Sequence, residues 1–185
     1  MVEVLERHGD HQGLNLTTAV RDGIVGHTGA TIPVTLEGQI IRIVDRIAYL
    51  CHDFDDAQRA GMLTAEALPF EVREHFGMTP SSMITAMVED MVRESLDKPA
   101  ISMSADVEMT MNLFRQFMFK HVYLAPALIP DRKKASHVVK NLFTHFMEHP
   151  DDMEGCETGK AFYSTRDVVD YVAGLTDQYA IKLFK

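Results

Sequence analysis

Between residues 35 and 63 the apolar positions crowd more densely than elsewhere in the chain. Ile40, Ile41, Ile43, Val44, Ile47, Ala48, Leu50, Cys51, Phe54 and Ala57 recur at three- and four-residue spacing, the period of a helix. Thr35 offers a capping hydroxyl and Gly61 a stop, so the pattern predicts one long helix over 36–60. Apolar residues cover most of its circumference, which predicts a buried helix. Asp45, Tyr49 and Asp53 stand in that helix at i, i+4, i+8. Each step drifts by only about 40°, so the three share one face. Arg46 adjoins them. Charges in apolar surroundings need partners or a ligand. The plain reading pairs Asp45 with Arg42 or Arg46 and leaves Asp53 in solvent; the other reading is a site.

The rest of the chain continues the helical pattern. The segment VEVLER at 2–7 reads as a helix tail. Thr17 or Thr18 caps a short helix that Gly26 and Gly29 end. A short helix follows over 70–76. Thr79-Pro80 starts another, with Met83, Ile84, Met87, Val88, Met91 and Val92 forming its apolar stripe. Ser104 caps a helix running to about 124, with Asp106 and Glu108 near its positive end. Residues 131–148 form the next helix, which His149-Pro150 stop. An acidic loop over 151–161 leads to Ser164 and Asp167, a capping-box pair that opens one last helix. Tyr171, Leu175 and Tyr179 form a packing stripe along it. No long alternating pattern and no internal repeat appears, so the class is all-α.

Composition then bounds the function. With 185 residues, 46 % of them hydrophobic, the chain can bury one sizeable core as a single unit. Twelve methionines and ten phenylalanines without a tryptophan suit an adaptable helical interior. A net charge of −9 argues against a broad nucleic-acid surface; the run Arg132-Lys133-Lys134 reads as a solvated helix face. Cys51 and Cys156 stand in no metal or redox spacing and are expected to be free thiols in a reducing compartment. No apolar run reaches membrane-spanning length and the start carries no signal-peptide pattern, so the expected location is the cytoplasm.

The segment VDRIAYLCHDFDDAQRAGML resembles the HD-superfamily deoxynucleoside triphosphate triphosphohydrolases, the dGTPase-like enzymes. GLNLTTAVRDGIVGH before it, ISMSADVEMTMNLFRQFMFKHVY after it and RDVVDYVAGLTDQYA near the end resemble the same family in the same order. The resemblance implies a multi-helix HD-type bundle, incomplete on its N-terminal side. Residues 1–62 would be the end of the HD domain and 63–185 the phosphohydrolase-associated helical region. It implies that Asp45 is the last metal ligand and that Arg46 lies near the triphosphate. Tyr49 would pack on the deoxyribose and reject a 2′-hydroxyl, and Asp53 would bind the 3′-hydroxyl. Arg115 would hold phosphates through its donor fork, and Tyr123 would lie near the sugar or base.

The implied reaction converts a deoxynucleoside triphosphate to a deoxynucleoside and triphosphate, using water on a divalent ion: Mn²⁺, Mg²⁺, Fe²⁺ or Zn²⁺. The family's other ligands, a His and a His-Asp pair, belong to a segment these 185 residues do not contain. The chain alone is therefore expected to bind no metal and to be inactive, though prone to self-association as a homo-oligomer. A non-catalytic regulatory or assembly module of the same fold is the alternative. His52-Asp53 is an HD dipeptide in the wrong block. The H-x-x-E-H pattern of His145, Glu148 and His149 resembles an inverted zinc-protease motif, but Pro150 ends its helix and an ordinary helix end is the better reading. His27, beside Gly26, suits a helix C-terminus.

Overall fold

A computed structural model describes residues 2–3, 7–9, 11–154 and 163–185. Cys156 and most of the acidic loop lie outside the described residues. Within them stand eight α-helices and one antiparallel ladder of two-residue strands, β1 (Arg7–His8) and β2 (His11–Gln12). The all-α class holds. The ladder corrects the helix tail expected over 2–7 at its described end: Gly9, at φ 59°, reverses the chain and pairs Arg7 with Gln12. The described residues fall into two units, 1–124 and 125–185. The family boundary expected at residue 62 runs through the first of them.

In the first unit α1 (Thr18–Gly26) leads to α2 (Leu36–Arg59), the predicted long helix. The Thr35 hydroxyl accepts the Gly38 N–H at 3.2 Å, and Gly61 follows the last turn at φ 68°. Helices α3 (Phe70–Phe76), α4 (Pro80–Ser95) and α5 (Ala105–Met118) complete the unit. Helix α4 opens with the Thr79-Pro80 cap, reinforced by the Ser82 hydroxyl. Helix α2 packs on α1, α4 and α5. One face of it carries Ile43, Ile47, Leu50, Cys51, Phe54 and Ala57 into the core, where the Phe54 ring meets Phe114 edge-on at 5.8 Å. Burial pushes the Cys51 thiol up to about 12, which keeps it protonated and unreactive.

The prediction of an all-round buried helix fails. Ile41 is 54 % exposed, and Asp45 faces solvent. Helix α1 crosses α2 at Gly23 and Gly38, where a Cβ on Gly38 would stand 2.6 Å from the Pro33 ring. Past that crossing α1 leaves Val20, Ile24 and Ile41 around an apolar cavity of about 580 Å³. The chain after α5 widens its course where the prediction continued the helix: Phe119–Tyr123 form a π-helical turn.

The second unit contains α6 (Ile129–Glu148), α7 (Thr165–Ala173) and α8 (Asp177–Phe184). Leu142, Phe146, Met153 and Val168 form its own core. The single last helix is corrected to two, because Gly174 ends α7 and the Thr176 hydroxyl caps α8 by accepting the Tyr179 N–H. The break splits the predicted stripe. Tyr171 and Leu175 pack on the core, while the Tyr179 hydroxyl donates to Glu154. That carboxylate holds the phenol up to about 12. Among the described residues no helix is long and apolar enough to cross a membrane.

Candidate functional site

Four side chains of α2 recur at i, i+3, i+4 and i+7: Arg42, Asp45, Arg46 and Tyr49. That spacing sets them on one helix face, and all four line a cavity of about 300 Å³. Met111, Asn112 and Arg115 of α5 form another wall, and His27, Thr28 and Gly29 close a third side. Among the described residues Asp45 makes no ion pair and no side-chain hydrogen bond, so the plain pairing with Arg42 or Arg46 does not occur. Among the described residues Arg46 donates only to the Arg42 carbonyl, at 3.3 Å. The Arg115 guanidinium lies 5.1 Å over the Phe119 ring. Two guanidinium groups without a carboxylate partner among the described residues therefore border one cavity. Such forks suit phosphate oxygens.

Asp53 and Tyr123 do not line that cavity. They meet one turn further along α2, where the Tyr123 hydroxyl donates to Asp53 Oδ2 at 2.6 Å. Residues 70 apart in sequence are thus joined. In the π-helical turn the Leu124 N–H reaches back five residues to the Phe119 carbonyl at 2.9 Å. This wider turn sets where the phenol emerges. Burial pushes the Tyr123 phenol well above its ordinary range, and the Asp53 carboxylate adds to that. Replacing Tyr123 with Phe is expected to lower stability by about 1 kcal/mol, because a half-buried hydrogen bond to a carboxylate contributes little more than that net. A urea midpoint unchanged from wild type would show the bond to be absent in solution.

Two sets of polar contacts escaped the sequence reading. Arg42 sends its guanidinium to the carbonyls of Gly26 and Thr31, at 2.6 and 2.9 Å, and to that of Gly29. Asp90 of α4 is 2 % exposed. It accepts the Ser104 N–H at 2.8 Å and pairs with Arg93 at 2.7 Å. Burial alone would raise its carboxyl, yet the Ser104 N–H and hydroxyl and the Arg93 guanidinium together hold it below the ordinary range. The signal was present in the sequence: Asp90 stands three residues after Met87 and seven after Met83, on the apolar stripe itself.

The remaining candidates are not among the residues lining this cavity. His52 is exposed. In the H-x-x-E-H segment His145 Nε2 meets Asp152 at 2.9 Å, with the His149 ring 5.1 Å from the His145 ring. No group of three or more histidine, cysteine or acidic side chains stands ready to hold a metal ion among the described residues. At the α2 cavity the donors are the Asp45 carboxylate and the His27 imidazole, whose Nδ1 already meets the Ile24 carbonyl. That set falls short of a metal shell, so a metal does not fit these residues alone.

Comparison with known proteins gives one consistent direction. Residues 101–185 match the phosphohydrolase-associated domain family. A deoxyguanosinetriphosphate triphosphohydrolase-like protein of Caldanaerobacter subterraneus subsp. tengcongensis is 40% identical over 187 residues, which cover 100% of this chain and 55% of that relative. Proteins described by the same words from Clostridium perfringens and Desulfatibacillum aliphaticivorans are 35% and 31% identical, over 97% and 100% of this chain and 55% and 58% of theirs. The chain spans about half the length of the curated relatives it matches.

Proposed function

We propose that the chain belongs with the deoxyguanosinetriphosphate triphosphohydrolase-like proteins it matches, and that its α2–α5 cavity forms one wall of a deoxynucleoside triphosphate site. Arg46 and Arg115 neutralise the triphosphate, whose charge would otherwise resist both binding and nucleophilic attack. Tyr49 stacks on the sugar. Asp53, steadied by Tyr123, accepts the 3′-hydroxyl. The observation that carries this reading is the pair of guanidinium groups, free of carboxylate partners among the described residues, on one polar cavity. The products would be a deoxynucleoside and triphosphate.

The complete enzyme would use a divalent metal, with Asp45 as one ligand. The described residues do not complete that shell; what they supply is binding and orientation. Self-association, where it occurs, would engage the apolar face of Val20, Ile24 and Ile41, since such patches rarely stay bare.

Two measurements test the reading. Calorimetric titration of the 185-residue chain with dGTP is expected to show binding that weakens by about tenfold or more in Arg115→Ala, the loss of one charge-assisted contact. Equal binding by the variant, or none by the wild type, counts against a triphosphate wall. Incubation with dGTP and Mn²⁺ is expected to release no triphosphate. Turnover that disappears in Asp45→Ala would show that these residues suffice for catalysis. Turnover that survives it and disappears in His149→Ala would move the chemistry to the H-x-x-E-H segment.

A further inference from the structure

Arg42 borders the cavity, yet its Nη1 and Nη2 are engaged by backbone carbonyls. Nη1 bonds the carbonyls of Gly26 and Thr31 at 2.6 and 2.9 Å, and Nη2 bonds the carbonyl of Gly29. Gly26 is the last residue of α1, so its carbonyl has no helical partner of its own. A cation there also complements the negative end of the helix. Gly29 stands at φ 77°, a conformation that an L side chain would strain. Within this anchored stretch lie His27, Thr28 and Gly29, which line the cavity with α2 and α5. One guanidinium therefore ties three points of the loop to α2, a single helical turn before Asp45 and Arg46.

We infer that Arg42 is a positioning residue: it clamps the 26–31 loop against α2, and so fixes the third wall of the anion cavity without touching the anion itself. The inference rests on the triphosphate reading of that cavity. It assigns the cavity's three arginines to two jobs. Arg46 and Arg115 face the phosphates, and Arg42 holds the wall. The job needs a planar fork, because a lysine ammonium is a single point that cannot span carbonyls diverging from both ends of a guanidinium. Arg42→Lys keeps the charge and loses the clamp.

The test uses the 185-residue chain with tripolyphosphate as the probe. Arg42→Ala and Arg42→Lys are both expected to weaken binding by about tenfold, the consequence of a loop released from charge-assisted hydrogen bonds. The salt dependence of binding reads all charge within about 10 Å of the anion, so it is compared in the variant that keeps the charge. It should stay as steep as wild type in Arg42→Lys while affinity falls, and flatten in Arg115→Ala. Hydrogen exchange should quicken by about tenfold or more at amides 27–31 in both Arg42 variants, with the α2 amides unchanged. Arg42→Lys binding as tightly as wild type would make Arg42 a source of positive charge rather than a clamp and overturn the assignment. Unchanged exchange at 27–31 would also overturn it. Should Arg42→Ala fail to fold, Arg42→Lys carries the same comparison. Failure of the wild type to bind tripolyphosphate would remove the triphosphate reading, while the exchange data would still decide the clamp.

Discussion

Phe54→Ala is expected to destabilise the first unit by about 3–5 kcal/mol, the cost of emptying a fully buried aromatic site. The Phe54 side chain has no solvent exposure, and its ring meets Phe114 edge-on at 5.8 Å. Deleting it removes the transfer energy of the ring and leaves a void between α2 and α5. It also removes an aromatic pair that contributes about 1 kcal/mol beyond buried area. Small domains are stable by only about 5–15 kcal/mol, so the loss is a large fraction of the total. Phe54→Leu keeps most of the volume and is expected to cost less than half as much. Denaturant unfolding should show a midpoint shifted strongly in the first variant and mildly in the second. A loss under about 1 kcal/mol for Phe54→Ala would mean that the site collapses around the gap. The stakes are functional too, because this contact joins the two helices whose outer faces carry Asp45, Arg46, Tyr49 and Arg115.

The long helix was legible because its signals are local. Thr35 caps it, Gly61 ends it, and the apolar period between them fixes which face turns inward. Local signals did not reveal how far neighbouring helices would cover it. Ile41 looks like a core residue in sequence, and only the α1–α2 crossing at Gly23 and Gly38 shows that it borders a cavity instead. The break between α7 and α8 was overlooked for a related reason: Gly174 and Thr176 carry a stop and a cap, but the apolar spacing runs straight through them. At the site, spacing alone gave Asp45, Tyr49 and Asp53 one face. The family resemblance supplied Arg115 and Tyr123. Arg42 entered only as a possible partner of Asp45, because a guanidinium bonded to backbone carbonyls leaves no mark in a pattern of side chains.

Asp90→Ala is expected to cost about 2–4 kcal/mol, which exceeds what any surface ion pair in this chain would cost. Two partners hold the carboxylate, and they are unequal. The Arg93 side chain is 70% exposed, so its arm of the pair is screened and contributes under about 1 kcal/mol. The Ser104 N–H at 2.8 Å contributes more. It is a bond to a buried charge, and its loss leaves a donor unpaired where α5 begins. Arg93→Ala should therefore be mild, Asp90→Asn intermediate because one acceptor oxygen remains, and Asp90→Ala severe. An Arg93→Ala loss as large as that of Asp90→Ala would reverse this order of partners. The pH dependence follows from the same bonds. The folded carboxyl sits below its ordinary range, so as pH falls the unfolded chain takes up the proton first. The contribution of Asp90 is complete above the unfolded value of about 4 and is lost as pH drops through the folded value. The stability difference between wild type and Asp90→Asn should be flat from about pH 5 to 7 and shrink below about pH 4; taking that difference cancels the other carboxylates. A difference that widens on acidification would mean that burial, rather than the Ser104 bonds, dominates the titration of Asp90. The end of α4 would then hold a strained charge where the structure shows an anchor for α5.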